Sequence, residues 1–193
     1  MPFLQKKGNY KNLIAYQKSE CIYDITFYFA HKFLKSGDRT IDQMIQAARS
    51  GKQNIAEGSS ASTTSAETEI KLMNVARASL QELLLDYSDY LRVRNLVQWD
   101  LNDERSIKTR EICSKHNSSD FYMEAIKIRS DETIANIAIT LIHQADVFLR
   151  KLIERLQDDF VKNGGVREQM TNARLNYRNS NKPNKTNKTN RPN

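Results

Sequence analysis

Few residues in this chain have the type and spacing that catalysis or metal binding requires. The three histidines, His31, His116 and His143, stand far apart, and Cys21 and Cys113 form no metal-spacing motif. A closed zinc site draws four such donors from closely spaced pairs, so none is expected. The carboxylate pairs Glu67/Glu69 and Asp158/Asp159 point in divergent helical directions and do not reproduce the Glu-x-x-His repeats of a di-iron bundle. Ser50-Gly51-Lys52 lacks the glycine series and the preceding strand of a phosphate loop. The reading is therefore of a chain without catalytic residues, metal or cofactor.

The chemistry that does fit is the binding of a polyanion. Arg49, Lys52, Lys71, Arg92 and Arg94 are the candidates in the body of the chain, followed near its end by Arg174, Tyr177, Arg178, Lys182, Lys185, Lys188 and Arg191. Cations of this kind contact phosphates non-specifically, and Tyr177, set between two arginines, has a ring on which a base could stack. Near the body candidates lie acids, including Glu69, Asp86 and Asp89, so a solvated charged face accounts for them better than a nucleic-acid surface does.

The net charge of +7 is concentrated at one end. Residues 171–193 hold six basic residues and no acid, leaving 24 basic against 23 acidic residues in 1–170. That segment repeats Asn, Lys and Thr, which predicts a disordered basic tail from residue 171. The remaining length is enough for one domain with a sizeable core. No stretch approaches the roughly 18 apolar residues needed to span a bilayer, and no secretory signal is seen. With two unpaired-looking cysteines, a cytoplasmic protein with free thiols is expected.

The elements that position these residues read as helices almost throughout. Leu13, Ile14, Tyr16, Cys21, Ile25, Tyr28 and Phe29 trace an apolar stripe that predicts a helix over about 12–34. A second helix is expected over 38–57, with Ile41, Met44, Ile45, Ala48 and Ile55 inward and Gly58 as its terminator. Gly51 inside it marks a close packing contact or a kink. Residues 59–64 then form a loop or a loose first turn, and Thr64 or Ser65 caps a third helix over 66–93. Ile70, Met73, Leu80, Leu84, Tyr87 and Leu91 follow one face of it over about 42 Å. Two short helices are expected over 102–115 and 121–129, with Trp99 plugging the bundle end. A last long helix runs over 131–160 and ends at Asn163-Gly164-Gly165.

The predicted fold is all-α: an up-and-down four-helix bundle over 11–162, with a helical insertion between the third and last long helices. Residues 1–10 form an N-terminal arm and 163–193 a C-terminal extension. Asn54, Glu57, Arg77 and Glu82 are polar groups among apolar neighbours, suited to a structural polar cluster in which Glu57 accepts from Arg49 or Arg77.

Two segments carry a family resemblance. Gln43 through Gly58, ending in Asn54-Ile55-Ala56-Glu57-Gly58, and Ala76-Arg77-Ala78-Ser79-Leu80-Gln81-Glu82-Leu83 resemble the four-helix bundle proteins encoded by intervening sequences of bacterial 23S ribosomal RNA genes, often called the S23 ribosomal protein family. The likeness covers 11–93 well and 131–158 more loosely. It implies a non-enzymatic bundle that assembles into a ring, commonly a pentamer. A related branch, the accessory protein of diversity-generating retroelements, implies association with nucleic acid. Where the family often carries paired arginines this chain has Ile45 and Gln46. The expectation is thus a homo-oligomeric accessory bundle that associates with RNA or DNA, or alternatively a structural ring module that binds another protein. No membrane is involved in either.

Overall fold

The computed structural model describes residues 9–181. A short 3₁₀ turn, Tyr10–Asn12, leads into α1 (Ile14–Phe33), α2 (Arg39–Ala61), α3 (Ala66–Val93), α4 (Glu104–Lys115), α5 (Ser119–Ile126), α6 (Asp131–Asn163) and α7 (Val166–Ser180). The described residues contain no strand.

Local chemistry sets most of these boundaries. Asp38, Ser65, Asp103 and Ser130 each turn a side-chain oxygen onto a backbone N–H of the first helical turn. These caps satisfy donors that have no partner inside the helix. Of the two candidates for the α3 cap, Ser65 is the one used, with its hydroxyl 3.1 Å from the Thr68 nitrogen. At the far end of α6, Gly164 adopts φ +69°, a left-handed conformation that suits glycine and stops the helix.

The four long helices α1, α2, α3 and α6 pack in a closed cycle, each against two neighbours. This is the four-helix bundle the periodicity predicts. Its core is aliphatic and aromatic: Ile22, Ile25, Phe29, Met44, Ile55, Met73, Leu80, Leu83, Tyr87 and Leu141 are fully buried. The Tyr87 hydroxyl donates to Thr26 Oγ1 at 3.0 Å, so its one polar atom is paired. The insertion lies on the outside of the bundle, with α4 against α6 and α5 against α1.

Three expectations need correction. Gly58 does not end α2, which runs on to Ala61. Gly58 is instead buried inside the helix, where an added Cβ would come 3.1 Å from Met73 Cε and 3.3 Å from Leu72 Cβ. Its small size serves the approach of α3, and tertiary packing overrides its poor helix propensity. Trp99 does not plug the bundle end: it lies along the first half of α6, where its backbone N–H meets Asn136 Oδ1 at 2.8 Å. The third correction concerns the extension. Residues 171–180 are helical, as the greater part of α7. A tail read from Thr171 onward cuts an apolar pattern, Val166, Met170, Ala173 and Tyr177, at its start. The Glu168 carboxylate also closes the helix N-terminus by accepting from the Gly165 nitrogen at 2.9 Å.

One carboxylate in the packed region makes stability depend on pH. Burial pushes the Glu69 carboxyl from 4.5 up to about 7, an effect that Arg155 partly opposes. Between those values the native state binds more protons than the unfolded chain, so stability falls as pH rises through the window. Glu69→Gln is expected to raise the urea midpoint relative to wild type at pH 8 and to leave it nearly unchanged at pH 4.5. Equal shifts at both pH values would show that the effect is not ionisation.

Candidate functional site

The four residues of the expected polar cluster do not meet. Asn54 donates to the Ser50 carbonyl at 2.9 Å and to its hydroxyl at 3.1 Å. Ser50 in turn pairs with Ser79 at 2.9 Å, forming a polar clip between α2 and α3. Arg77 turns the other way, to α6, where its Nε lies 2.6 Å from Asp146 Oδ1. Gln81 and Arg150 donate to the same carboxylate at 3.2 and 3.1 Å. Glu57 and Glu82 are exposed and take no part in either group. Asn54 and Arg77 therefore have structural roles in two separate helix contacts. The residue that sequence reading missed is Asp146, hidden among Ala145, Val147 and Phe148 in an otherwise apolar stripe. A lone acid at such a position is the signal that could have revealed it.

The basic candidates of the body are similarly dispersed. Arg49 and Lys71 are exposed on α2 and α3. Lys52 lies over the Tyr23 ring, 4.2 Å from its centroid, and Arg94 over Tyr90 at 3.9 Å. Arg92 is paired with Asp89 at 2.8 Å. Lys71 and Arg92 share a helix but stand about 31 Å apart along it. They do not form one phosphate-binding patch.

The C-terminal helix does gather its candidates. Arg174 and Arg178 are one turn apart, with Tyr177 beside them, and Arg167 lies two turns before Arg174 on the same edge. Met170, Ala173 and Tyr177 make an apolar stripe next to this row of arginines. Every residue from Met170 to Asn181 is exposed, and α7 has no sustained packing contact with another helix. Lys182, Lys185, Lys188 and Arg191 lie outside the described residues.

No protein family, curated protein or solved structure matches this chain.

A second feature is a cleft of about 940 Å³ between α4, the segment 98–101 and α6. Trp99, Leu101, Ile139, Val147 and Phe148 supply most of its apolar wall. Asn136 fixes the connecting segment to α6, accepting from Trp99 N–H and donating to the Val97 carbonyl at 2.9 Å. The Gln144 amide donates to the Arg110 carbonyl at 3.0 Å and so ties α4 to α6. Trp99 Nε1 and Gln144 Oε1 are buried without a hydrogen-bond partner among the described residues, so the packing here is incompletely satisfied. Neither Asn136 nor the cleft was apparent from periodicity, because both depend on how the insertion lies across α6.

Of the remaining reactive side chains, His143 is exposed and lines the cleft, and the others are held in structural positions. His31 Nδ1 contacts the Phe27 carbonyl at 2.8 Å, and His116 stacks on Phe121 at 3.8 Å between centroids. Cys21 and Cys113 are buried free thiols, and burial pushes Cys21 up to about 12. A thiol so raised is a poor nucleophile at neutral pH. Among the described residues no three His, Cys, Asp or Glu side chains come together as metal ligands.

Proposed function

We propose that this chain is a non-enzymatic helical-bundle accessory protein that self-associates and contacts RNA or DNA through its C-terminal helix. The observation that supports this is the row of Arg167, Arg174 and Arg178 along one edge of the exposed helix α7, with Tyr177 adjacent. Each arginine can neutralise a phosphate, and the tyrosine ring offers a stacking surface to an unpaired base. Glu168 is the one acid of α7, and its carboxylate is directed to the helix start. The bundle then serves as the scaffold that presents this helix. Assembly into a ring, commonly a pentamer, and the S23-family relationship come from the resemblance of residues 11–93 and are part of the same proposal. No helix among the described residues is long and apolar enough to cross a membrane.

The test is a salt series with labelled duplex DNA, single-stranded DNA and structured RNA. Wild type is compared with the triple variant Arg167→Gln, Arg174→Gln, Arg178→Gln. For duplex DNA each lost phosphate contact should flatten the slope of log affinity against log salt by about 0.9, so the triple variant should lose up to about 2.7. Identical slopes would remove α7 from the interface. Light scattering that gives a monomer at micromolar concentration would remove the ring.

The apolar stripe Met170, Ala173 and Tyr177 favours a second reading, a helix that docks on another protein. In that case nucleic-acid binding is absent at low salt, while Met170→Glu abolishes capture of a specific partner.

A further inference from the structure

The cleft over α6 has two chemically different walls. Ser106, Arg110 and Ser114 recur every fourth residue on α4 and all line it, forming a polar row about 5–6 Å between neighbours. The facing wall sets Trp99, Ile139 and Phe148 among the polar side chains of Thr140, His143 and Gln144. Ser106 is 93% withdrawn from solvent, yet its hydroxyl makes no hydrogen bond to a described residue. Arg110 spends one N–H on the Leu101 carbonyl at 2.7 Å and pairs with no carboxylate among the described residues. Asp100 also reaches the cleft, but it is exposed, and its Oδ1 accepts from the Asn102 nitrogen at 3.0 Å. The inner end of the cleft thus combines a half-buried cation, an unused hydroxyl and an apolar surface.

We propose that this cleft binds a small amphipathic monocarboxylate, its hydrocarbon or aromatic body lying on Trp99 and Phe148 and its carboxylate meeting Arg110 and Ser106. The volume is within the range of about 300–1,000 Å³ that encloses small ligands. A guanidinium offers a carboxylate a forked pair of donors, which no other group on this wall supplies. The apolar wall contributes binding energy without selecting charge, whereas Arg110 selects it. A neutral molecule with the same body loses the charged contact, and a cationic one is repelled. This site is separate from α7 and does not depend on nucleic-acid binding.

Trp99 is the single tryptophan of the chain, so intrinsic fluorescence reports directly on the cleft. The full-length protein is titrated with decanoate, decanol and decylamine below their aggregation limits. Decanoate is expected to change Trp99 emission saturably at one equivalent, with decanol at least about tenfold weaker and decylamine weaker still. Arg110→Gln should reduce decanoate to the affinity of decanol while leaving decanol unchanged. Val147→Phe should fill the cleft and weaken both. Circular dichroism and the melting midpoint establish that each variant is folded. Equal affinity for decanoate and decanol in wild type overturns the proposal, as does a decanoate response that survives both substitutions. Absence of any response overturns it too. Emission that shifts with protein concentration alone would place a second copy in the cleft, with the same consequence.

Discussion

Lys18→Ala is expected to destabilise the fold by about 3–5 kcal/mol, the range of a large cavity combined with an unpaired buried group. Lys18 is on the inner face of α1 and only 1% exposed, an unusual position for a lysine. Its Nζ donates at 2.5 Å to the carbonyl of Cys113, close to the C-terminus of α4. Carbonyls in the last turn of a helix have no intrahelical donor, and the helix dipole places partial negative charge there. Lys18 therefore caps the insertion from the bundle side and fastens α4 to the core. Truncation to alanine removes both the long aliphatic stem and the donor. Lys18→Met keeps most of the stem and should cost less, about 1–3 kcal/mol, with the orphaned carbonyl as the main loss.

Burial lowers the Lys18 ammonium below its ordinary 10.5. Between that lowered value and 10.5 the unfolded chain binds more protons than the native one, so this residue makes stability rise with pH. Lys18→Met should abolish that part of the slope. Urea unfolding of wild type and both variants from pH 7 to pH 10 checks the magnitudes and the sign. Faster amide exchange confined mainly to residues 104–116 in Lys18→Met would identify α4 as the element released. A change below about 1 kcal/mol in Lys18→Ala would show that the contact is not a structural cap.

Gly51→Ala is the second large expected effect, and its sign is opposite to that of helix propensity. Alanine in place of glycine inside an exposed helix gains about 1 kcal/mol. At this position, however, the new Cβ would come 2.7 Å from Leu80 Cδ2 and 2.9 Å from Leu80 Cγ. Leu80 is fully buried on α3 and surrounded by core, so it cannot swing into solvent. Overpacking of this kind typically costs about 1–3 kcal/mol, which exceeds the propensity gain once the helices must separate. Gly51→Leu should cost more still and compromise folding. The decisive comparison is a double-mutant cycle. Leu80→Ala alone should cost about 2–5 kcal/mol, because it leaves a cavity between α2 and α3. In the double variant the new methyl occupies part of that space, so the combined loss should fall short of the sum by more than about 1 kcal/mol. Additive losses would mean that Gly51 and Leu80 do not compete for the same volume.

The amino-acid sequence by itself determined the long helices, because a period near 3.6 is a local property of the chain. Met73, Leu80, Tyr87 and Leu91 are buried as the periodicity predicts and Ala66–Val93 are the bounds of α3 in both, but the buried face is turned toward Ala76, Leu83 and Tyr90, leaving Ile70 and Leu84 half-buried. It also determined that α6 ends at Gly164 and that two short helices intervene before it. Gly58 shows where local signals stop. A glycine after an apolar run reads as a terminator, but the space it leaves is filled by Leu72 and Met73 of another helix. The same is true of the polar residues. Arg77 was legible as a buried-face cation, whereas its partner Asp146 lies 69 residues away. Lys18 drew no attention in the sequence because the Cys113 carbonyl that holds it is 95 residues distant.

The candidate sites divide along the same line. Arg174 and Arg178 were legible only as charges of a tail read as disordered, and Arg167 was not singled out; that the three share an edge follows from the helix Val166–Ser180. The cleft was not legible, since Trp99, Arg110 and Phe148 belong to three segments with no common period. Only the tertiary structure brings them together, through Asn136 and Gln144, which satisfy backbone groups of the insertion. Periodicity specifies which face of a helix is apolar. Which partner covers that face, and where the cover is incomplete, is decided by long-range packing and by polar groups whose partners are remote in sequence.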